Sequence, residues 1–257
     1  MGANTKIQWC DFTFNCWRGC TKVSAGCTNC YAETQSKRNP KVLGVWGDNG
    51  ARVVASESYW RQPLKWEREA AQQLESWKRA VQESRSEYDC VEPYERPRVF
   101  CASLADVFED RPELVAPRER LWALIASTPH LDWLLLTKRP EVALENWPLF
   151  AGYWASACGD EATVSRVAQS YVIPNVWLGV SVEDQAAADT RIPLLLQTPA
   201  KVRFLSVEPM LGPVDLTRLR LPGGYVLNAL TGERRDPVGD NFVAGPRVDW
   251  VIIGGES

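Results

Sequence analysis

Residues 175–210 read NVWLGVSVEDQAAADTRIPLLLQTPAKVRFLSVEPM and contain two apolar runs separated by a helix-like segment. The runs, 175–184 and 201–210, are rich in β-branched, aromatic and Leu side chains without strict alternation. This pattern is typical of strands that are buried on both faces of a parallel sheet. Between the runs, Asp184 precedes a series of Ala residues, as a helix N-cap would. The stretch therefore predicts a β–α–β unit with a right-handed crossover.

The same kind of apolar run occurs three more times, as RVFCASLADVF, LDWLLLTKRP and VDWVIIGGES at 98–108, 131–140 and 248–257. Residues 112–128 have apolar side chains at helical spacing between two of these runs. Strands that alternate with helices indicate an α/β fold. We expect a single domain spanning residues 1–257.

Three segments look like additions to this frame. The first is charged, with Trp and Leu at helical intervals, and predicts one or two amphipathic surface helices. The second predicts a helix or a loop, and the third, rich in Gly, Pro and Asp, predicts an irregular or hairpin insertion. These segments are about 60–95, 151–172 and 217–247.

Polar or small residues directly follow the apolar runs. In a parallel sheet the carboxyl ends of the strands form the edge that binds ligands. Lys and Glu at such positions would be partly buried, and buried charges are usually paired or bind a ligand. The alternative is that each residue simply begins a polar loop. The candidate site residues are Ser103, Asp106, Lys138, Arg139, Ser181, Glu183, Glu208, Gly254 and Gly255.

Composition narrows the class of protein. The chain has 257 residues, is 45% hydrophobic and carries a formal net charge of −3. It contains no signal-peptide core and no apolar stretch of membrane-spanning length. We therefore expect a cytoplasmic protein without a membrane partner, in a reducing environment where clustered cysteines bind metal or react more often than they pair. The net charge argues against a generally basic nucleic-acid binder, but not against a local basic groove.

A cysteine-rich loop at 15–33 reads NCWRGCTKVSAGCTNCYAE. Cys20, Cys27 and Cys30 are spaced C-x6-C-x2-C, and a Gly precedes two of them, which lets the backbone turn tightly. A zinc site needs four ligands, so Cys16 or Cys10 would have to be the fourth. A [4Fe–4S] cluster with three cysteines would leave one iron open. Spacing alone leaves zinc and iron–sulfur open, with inert buried cysteines as a third alternative.

The segment GCTKVSAGCTNCYAE resembles the three-cysteine signature of a phage- and prophage-associated family of uncharacterised proteins. The likeness extends to TKIQW, SLADVF, LLTKRP, NVWLGVSVE, IPLLLQTPAKVRFLSVEPMLGPVDL and DWVIIGGES. That family in turn resembles radical S-adenosylmethionine enzymes, in particular spore photoproduct lyase-like proteins, whose cysteine loop also ends in Cys-Tyr-Ala. The usual radical-enzyme spacing is C-x3-C-x2-C, so the first gap here is longer.

The resemblance implies a partial (β/α)6 barrel of radical S-adenosylmethionine type, with a first strand near residues 5–14. Cys20, Cys27 and Cys30 would hold three irons of a [4Fe–4S] cluster, and the fourth would chelate S-adenosylmethionine. The reduced cluster would cleave the sulfonium to a 5′-deoxyadenosyl radical. Lys138 or Arg139 would pair with the cofactor carboxylate, Glu183 would accept hydrogen bonds from the ribose, and Gly254 and Gly255 would admit the adenine. An ion pair between Lys138 and Glu183 that serves only stability is the alternative.

The chain departs from this pattern at two places. Asn15-Cys16 replaces the usual Asn-Pro, which adds a thiol near the loop. Family members usually continue past Ser257, so we expect the barrel to be C-terminally incomplete. A phage setting makes a nucleic acid or nucleoside a candidate substrate and a phage-encoded protein a candidate partner. The alternative function is a non-catalytic zinc- or cluster-binding protein that recognises a protein or nucleic acid.

Overall fold

The computed structural model describes residues 5, 7–84, 91–238 and 242–254. It shows a mixed α/β fold built on a six-stranded parallel sheet, with smaller sheets of four and two strands. The strands are β1 (Phe12–Thr13), β2 (Trp17–Arg18), β3 (Val53–Val54), β4 (Arg98–Cys101), β5 (Asp132–Thr137), β6 (Ile173–Ser181), β7 (Ala200–Val207), β8 (Leu219–Arg220), β9 (Val226–Leu227), β10 (Glu233–Arg235), β11 (Phe242–Ala244) and β12 (Trp250–Ile253).

The order of the large sheet is β1-β4-β5-β6-β7-β12, which follows the chain without a reversal. Because parallel crossovers are right-handed, a sheet that grows in one direction receives its helices on one face. The six strands curl into a half-barrel around the other face. The predicted parallel α/β sheet and partial barrel are confirmed, including a first strand before the cysteine loop.

Helices cover the outer face of the half-barrel. Asp184 caps α8 as predicted, because its Oδ1 accepts a hydrogen bond from the Ala187 backbone N–H at 2.8 Å. The fully buried Trp122 and Trp147 pack edge to face between α5 and α6, with ring centroids 5.9 Å apart. The helices are α1 (Tyr31–Arg38), α2 (Pro40–Leu43), α3 (Glu57–Trp60), α4 (Gln62–Glu83), α5 (Val115–Ala126), α6 (Pro140–Ala157), α7 (Glu161–Ser170) and α8 (Gln185–Gln197).

The inner face of the half-barrel carries its own small apolar cluster, separate from the core under the helices. Leu134, Phe204 and Ile252 are buried in it, and half-buried Trp rings surround them. Gly179 lies opposite Phe204 on the neighbouring strand, and a Cβ at Gly179 would collide with the Phe204 ring. The glycine therefore makes room for an aromatic ring that fills the inside of the sheet.

The three predicted additions have regular structure where they are described. Residues 60–84 are mostly α4, while residues 85–90 lie outside the described part. Residues 151–172 contain the end of α6 and all of α7. Within 217–247, strands β8 to β11 form the four-stranded antiparallel sheet, in the order β11-β10-β9-β8. No helix in the described ranges is both long and apolar enough to cross a membrane.

Candidate functional site at the carboxyl edge of the sheet

The cysteine loop lies across the carboxyl ends of the central strands. The Gly19 N–H donates to the Leu104 carbonyl after β4 at 3.0 Å. Arg139, after β5, donates from Nη1 to the Cys20 sulfur at 3.7 Å. A Cβ at Gly26 would lie 3.0 Å from the Glu183 carboxyl carbon after β6, so the loop backbone packs directly on that side chain. The loop thus contacts residues that follow three successive strands.

The pleat of the sheet explains why the candidate residues after β6, β7 and β12 lie on the same face. Ser181 pairs with Ser206, and Ser206 pairs with Ile252 on the inner face. Side chains two positions further along a strand return to the same face. That step leads from Ser181 to Glu183, from Ser206 to Glu208 and from Ile252 to Gly254, which places a polar layer above the inner aromatic cluster.

The three proposed ligand thiols differ in environment from the other cysteines of the N-terminal region. Cys20, Cys27 and Cys30 are half-buried and free. Cys10 and Cys16 are buried, and Cys16 lies beside Cys101 inside the core. Among the described residues, no three thiol, carboxylate or imidazole side chains converge closely enough to hold a metal ion. Cluster binding would therefore require the three thiol side chains to turn toward one another.

A buried ion pair lies beneath Cys20. Arg139 donates to Asp106 at 2.9 Å and, from its other terminal nitrogen, to the Thr21 carbonyl at 2.8 Å. Asp106 also accepts hydrogen bonds from the Thr137 hydroxyl at 2.8 Å and from the Lys138 backbone N–H at 3.1 Å. Arg139 therefore joins the loop to the strand ends, and the residue is 7% exposed.

A second buried ion pair supports the far side of the loop. Arg52 bonds Glu109 through two nitrogens, at 2.8 and 2.6 Å, and both side chains are almost completely buried. Arg52 also donates to the Thr21 hydroxyl at 2.8 Å and to the carbonyls of Val45 and Gly50. Because it bonds both Thr21 of the cysteine loop and the 45–50 turn, Arg52 fixes these two segments against each other.

Glu183 has Arg191 as its ion-pair partner. Arg191, on α8, donates to the two Glu183 oxygens at 2.7 and 3.2 Å. Burial works to raise the pKa of Glu183, but the hydrogen bonds from Arg191 and Ser24 outweigh it, so that its pKa is lowered. No ion pair or hydrogen bond of the Lys138 ammonium is found within the described ranges, which leaves this cation facing the site half-buried. Lys138 and Glu183 form no ion pair within 4 Å, but the charge of Lys138 adds to that of Arg191 in lowering the pKa of Glu183.

The remaining candidates lie at both sides of the site. Ser103 is held by Asn15, whose Nδ2 donates to its hydroxyl at 3.1 Å, and Tyr31 donates to the Ser103 carbonyl at 2.6 Å. Glu208 packs so closely on Gly254 that a Cβ at Gly254 would collide with its carboxylate. Gly255 lies outside the described residues.

Burial shifts the acidity of two groups in the loop. Burial raises the pKa of the Cys20 thiol to about 12, with a further contribution from the Asp106 carboxylate, while the Arg139 guanidinium opposes the shift. Burial of the phenol oxygen also raises the pKa of Tyr31 to about 12. Tyr31 as a whole is 45% exposed, although its hydroxyl is bonded to the Ser103 carbonyl.

Several residues of this arrangement were not identified from the sequence. These residues are Asn15, Arg52, Glu109 and Arg191. Asn15 closely follows β1 and Glu109 lies three positions after Asp106, whereas Arg52 and Arg191 are brought to the site only by the fold. One signal was available, since Arg191 sits among the apolar residues of α8 and is 8% exposed. A charge on the apolar face of a predicted helix needs a buried partner.

The fold and site together define a half-barrel α/β protein with a three-cysteine loop across the carboxyl edge of its sheet. A family model described as a protein of unknown function, DUF5131, matches residues 4–257. The chain belongs to this family. No curated protein and no solved structure matches the chain significantly.

Proposed function

We propose that the protein is an iron–sulfur enzyme of the radical S-adenosylmethionine type. Cys20, Cys27 and Cys30 would hold three irons of a [4Fe–4S] cluster, and the open iron would bind the cofactor. One observation carries the proposal: a loop with three free thiols lies across the carboxyl edge of a parallel half-barrel, beside inward-facing charged side chains. When bound, the cluster and S-adenosylmethionine supply the radical chemistry.

The side chains of the chain would bind and orient the cofactor. Lys138, which is half-buried without a partner among the described residues, would pair with the cofactor carboxylate. Glu183 would accept hydrogen bonds from the ribose, because a carboxylate has about four lone-pair sites and Arg191 occupies only part of them. Gly254 would let the adenine approach the backbone beside Glu208.

Arg139 has a different proposed role from Lys138. Its guanidinium already bonds Cys20, Asp106 and Thr21. We assign it to the cluster side of the site, where an N–H donor to a ligand sulfur stabilises the thiolate. The cofactor would then meet Lys138, a cation without an ion pair among the described residues, and two acidic side chains, Glu183 and Glu208.

Zinc is the alternative to the cluster. A four-cysteine zinc site would need Cys16 or Cys10 in addition to the loop thiols. Both are buried, and Cys16 is in the main apolar core. Their positions therefore favour a three-thiol centre over a four-thiol centre.

Calorimetric titration of the anaerobic, cluster-loaded protein with S-adenosylmethionine tests the proposal. Charge-assisted hydrogen bonds are worth about 1.5–3 kcal/mol, so Glu183→Gln and Lys138→Met should each weaken cofactor binding by about tenfold to a hundredfold. The cluster absorption should stay intact in both variants. Lys65→Met and Glu69→Gln, which alter an exposed pair on α4 with a 3.6 Å separation, serve as matched controls and should bind normally.

Two outcomes would count against the proposal. If the unmutated, cluster-loaded protein does not bind S-adenosylmethionine, the radical-enzyme assignment falls. If it binds but both site variants retain full affinity, the cofactor lies elsewhere and the assigned roles of Lys138 and Glu183 are wrong. Thermal unfolding of each variant would show whether any loss of affinity reflects a loss of structure.

A further inference from the structure

Positive charge is concentrated in the segment that carries the cysteine loop. Residues 15–47 contain five basic residues and one acidic residue, Glu33, giving +4. The whole chain carries −3, so the remaining residues carry −7. An acidic protein with a basic segment at its candidate site is suited to an anionic ligand larger than the site itself.

The exposed basic residues of this segment are Lys22 in the loop, Lys37 and Arg38 on α1, and Lys41 on α2, and we call this set the α1 basic face. All four are exposed. Lys22 and Lys37 share the single carboxylate of Glu33, at 2.7 and 3.4 Å. Arg38 and Lys41 have no ion pair within the described part of the chain. One carboxylate among four cations leaves most of the positive charge of this face without a counter-charge.

The α1 basic face leads away from the candidate site. Helix α1 begins at Tyr31, directly after Cys30, and its 8 residues extend for about 12 Å. Tyr31 is anchored by its hydroxyl to the Ser103 carbonyl at the edge of the sheet, while the residue as a whole is 45% exposed. An exposed aromatic ring therefore lies between the basic face and the open end of the half-barrel.

We propose that the α1 basic face binds a single-stranded nucleic acid and delivers one of its nucleotides to the half-barrel. Lysine and arginine side chains along a surface neutralise successive phosphates, and an exposed aromatic ring stacks on a base regardless of its identity. A base inside a duplex could not reach a site within a half-barrel unless it left the stack. That the bound nucleic acid is the substrate of the half-barrel site rests on the proposed function. The binding of nucleic acid to the α1 basic face does not depend on that proposal.

Exposed basic residues alone do not make such a face. Helix α4 also carries four Lys or Arg residues, but it has four Glu residues as well, so its net charge is zero. Two of its lysines lie within 4 Å of a Glu on the same helix, Lys65 beside Glu69 and Lys78 beside Glu75. This helix offers a control with the same residue types and no expected affinity for phosphate.

Fluorescence anisotropy with labelled single-stranded DNA and RNA of about 12 nucleotides, near the footprint of known single-strand binders, tests the inference. The triple variant Lys37→Glu/Arg38→Glu/Lys41→Glu should weaken binding by about tenfold or more between about 50 and 200 mM salt. The slope of log affinity against log salt is negative, and the variant should reduce its magnitude by about 2, since each of three lost phosphate contacts removes about 0.7. Tyr31→Leu should weaken binding without changing that slope.

The control triple variant on α4, Lys65→Glu/Arg68→Glu/Lys78→Glu, carries the same charge change and should bind as the unmutated protein does. An equal loss in both triple variants would show a general charge effect and overturn the proposal. Tighter binding to anionic phospholipid vesicles than to either oligonucleotide would also overturn it and assign the face to a membrane surface. Cofactor titrations on the same samples separate this result from the proposed function, because S-adenosylmethionine binding is measured independently of the oligonucleotide.

Discussion

The two edges of the large sheet handle buried charge in opposite ways. At the carboxyl edge, Arg139 bonds Asp106 at 2.9 Å and Arg191 bonds Glu183 at 2.7 Å. Each of these side chains also bonds a neighbouring segment or lies against the cysteine loop. The charges there form a connected frame around an arrangement of thiols.

At the amino edge, charged side chains bond to neighbouring backbone groups: Asp11 accepts a hydrogen bond from the Arg98 N–H at 2.7 Å, and Asp249 accepts one from the Arg203 N–H at 2.8 Å. Asp132 Oδ1 is buried without a hydrogen-bond partner among the described residues and lies 3.6 Å from Arg96. Arg98 pairs with the exposed Glu95 at 2.9 Å and also packs over aromatic rings, with its guanidinium carbon 5.5 Å from the Trp177 centroid and 5.6 Å from the Trp250 centroid. The strands therefore begin beside a layer of aromatic rings and end beside a layer of buried ion pairs. The difference agrees with our proposal that the ligand site lies at the carboxyl edge.

The largest expected effect comes from removing the loop thiols. We expect Cys20→Ala, Cys27→Ala and Cys30→Ala each to abolish cluster binding, because a three-ligand centre has no spare thiolate. Iron and sulfide analysis of the anaerobically reconstituted variants provides the measurement. Cys16→Ala is the control and should keep nearly all of its iron, since Cys16 is buried in the core beside Cys101. Iron loss in Cys16→Ala equal to that in the loop variants would favour a four-thiol centre.

The next effect concerns the frame that holds the loop. Arg52→Met should lower the free energy of unfolding by about 3–5 kcal/mol, because it leaves the buried Glu109 carboxylate with only the longer 3.9 Å contact to Arg139. Urea unfolding measures this loss. The double variant Arg52→Met/Glu109→Met should recover part of the stability, since no unpaired charge then remains buried. Full stability of the single variant would show that the carboxyl edge is not held by its ion pairs.

A smaller effect should follow from adding one methyl group to the loop. The Cβ in Gly26→Ala would lie 3.0 Å from the Glu183 carboxyl carbon, so Glu183 or the loop must shift by a few tenths of an ångström. We expect weaker S-adenosylmethionine binding with unchanged iron content. Gly152→Ala is the matched control, because a Cβ there meets nothing within 4 Å. Equal cofactor affinity in both variants would show that Gly26 and Glu183 are not part of the cofactor site.

The smallest effect concerns Asp132 at the amino edge. Burial raises the pKa of this carboxyl above its ordinary value, despite the opposing charge of Arg96. The folded state therefore favours the protonated form, and the contribution of Asp132 to stability is lost as pH rises through its folded pKa. Asp132→Asn should gain stability relative to the unmutated protein as pH rises from about 4 toward neutrality. Thermal unfolding at several pH values measures this difference in stability. If Asp132→Asn instead gained stability relative to the unmutated protein as pH fell, the prediction would be wrong.

The sequence predicted the sheet because its strands are nearly continuous apolar runs that end in polar residues. Such apolar runs occur where a strand is buried on both faces. Here helices cover one face of the sheet and aromatic rings fill the other, as at Gly179 and Phe204. Asp184 likewise marked the start of α8 through its own capping hydrogen bond. Both signals are local, so they can be read from a few consecutive residues.

The partners of the strand-end charges could not be predicted from the sequence. Lys138 and Glu183 were considered as a pair, whereas the structure pairs Glu183 with Arg191, eight positions along the chain on α8. Arg52 and Glu109 are 57 positions apart and meet only because the 45–52 turn folds under the loop. Ion-pair choice depends on tertiary geometry, which neither charge pattern nor spacing encodes.

Metal analysis of the anaerobically purified protein, combined with electron paramagnetic resonance of the reduced sample, tests the central claim most directly. The claim is that the cysteine loop holds an open-iron cluster at the carboxyl edge of the half-barrel. It predicts brown protein with about four irons and four sulfides per chain, broad absorption near about 400 nm, and a spectrum that changes when S-adenosylmethionine is added. Colourless protein with one zinc per chain, or a cluster signal that S-adenosylmethionine leaves unchanged, would contradict it.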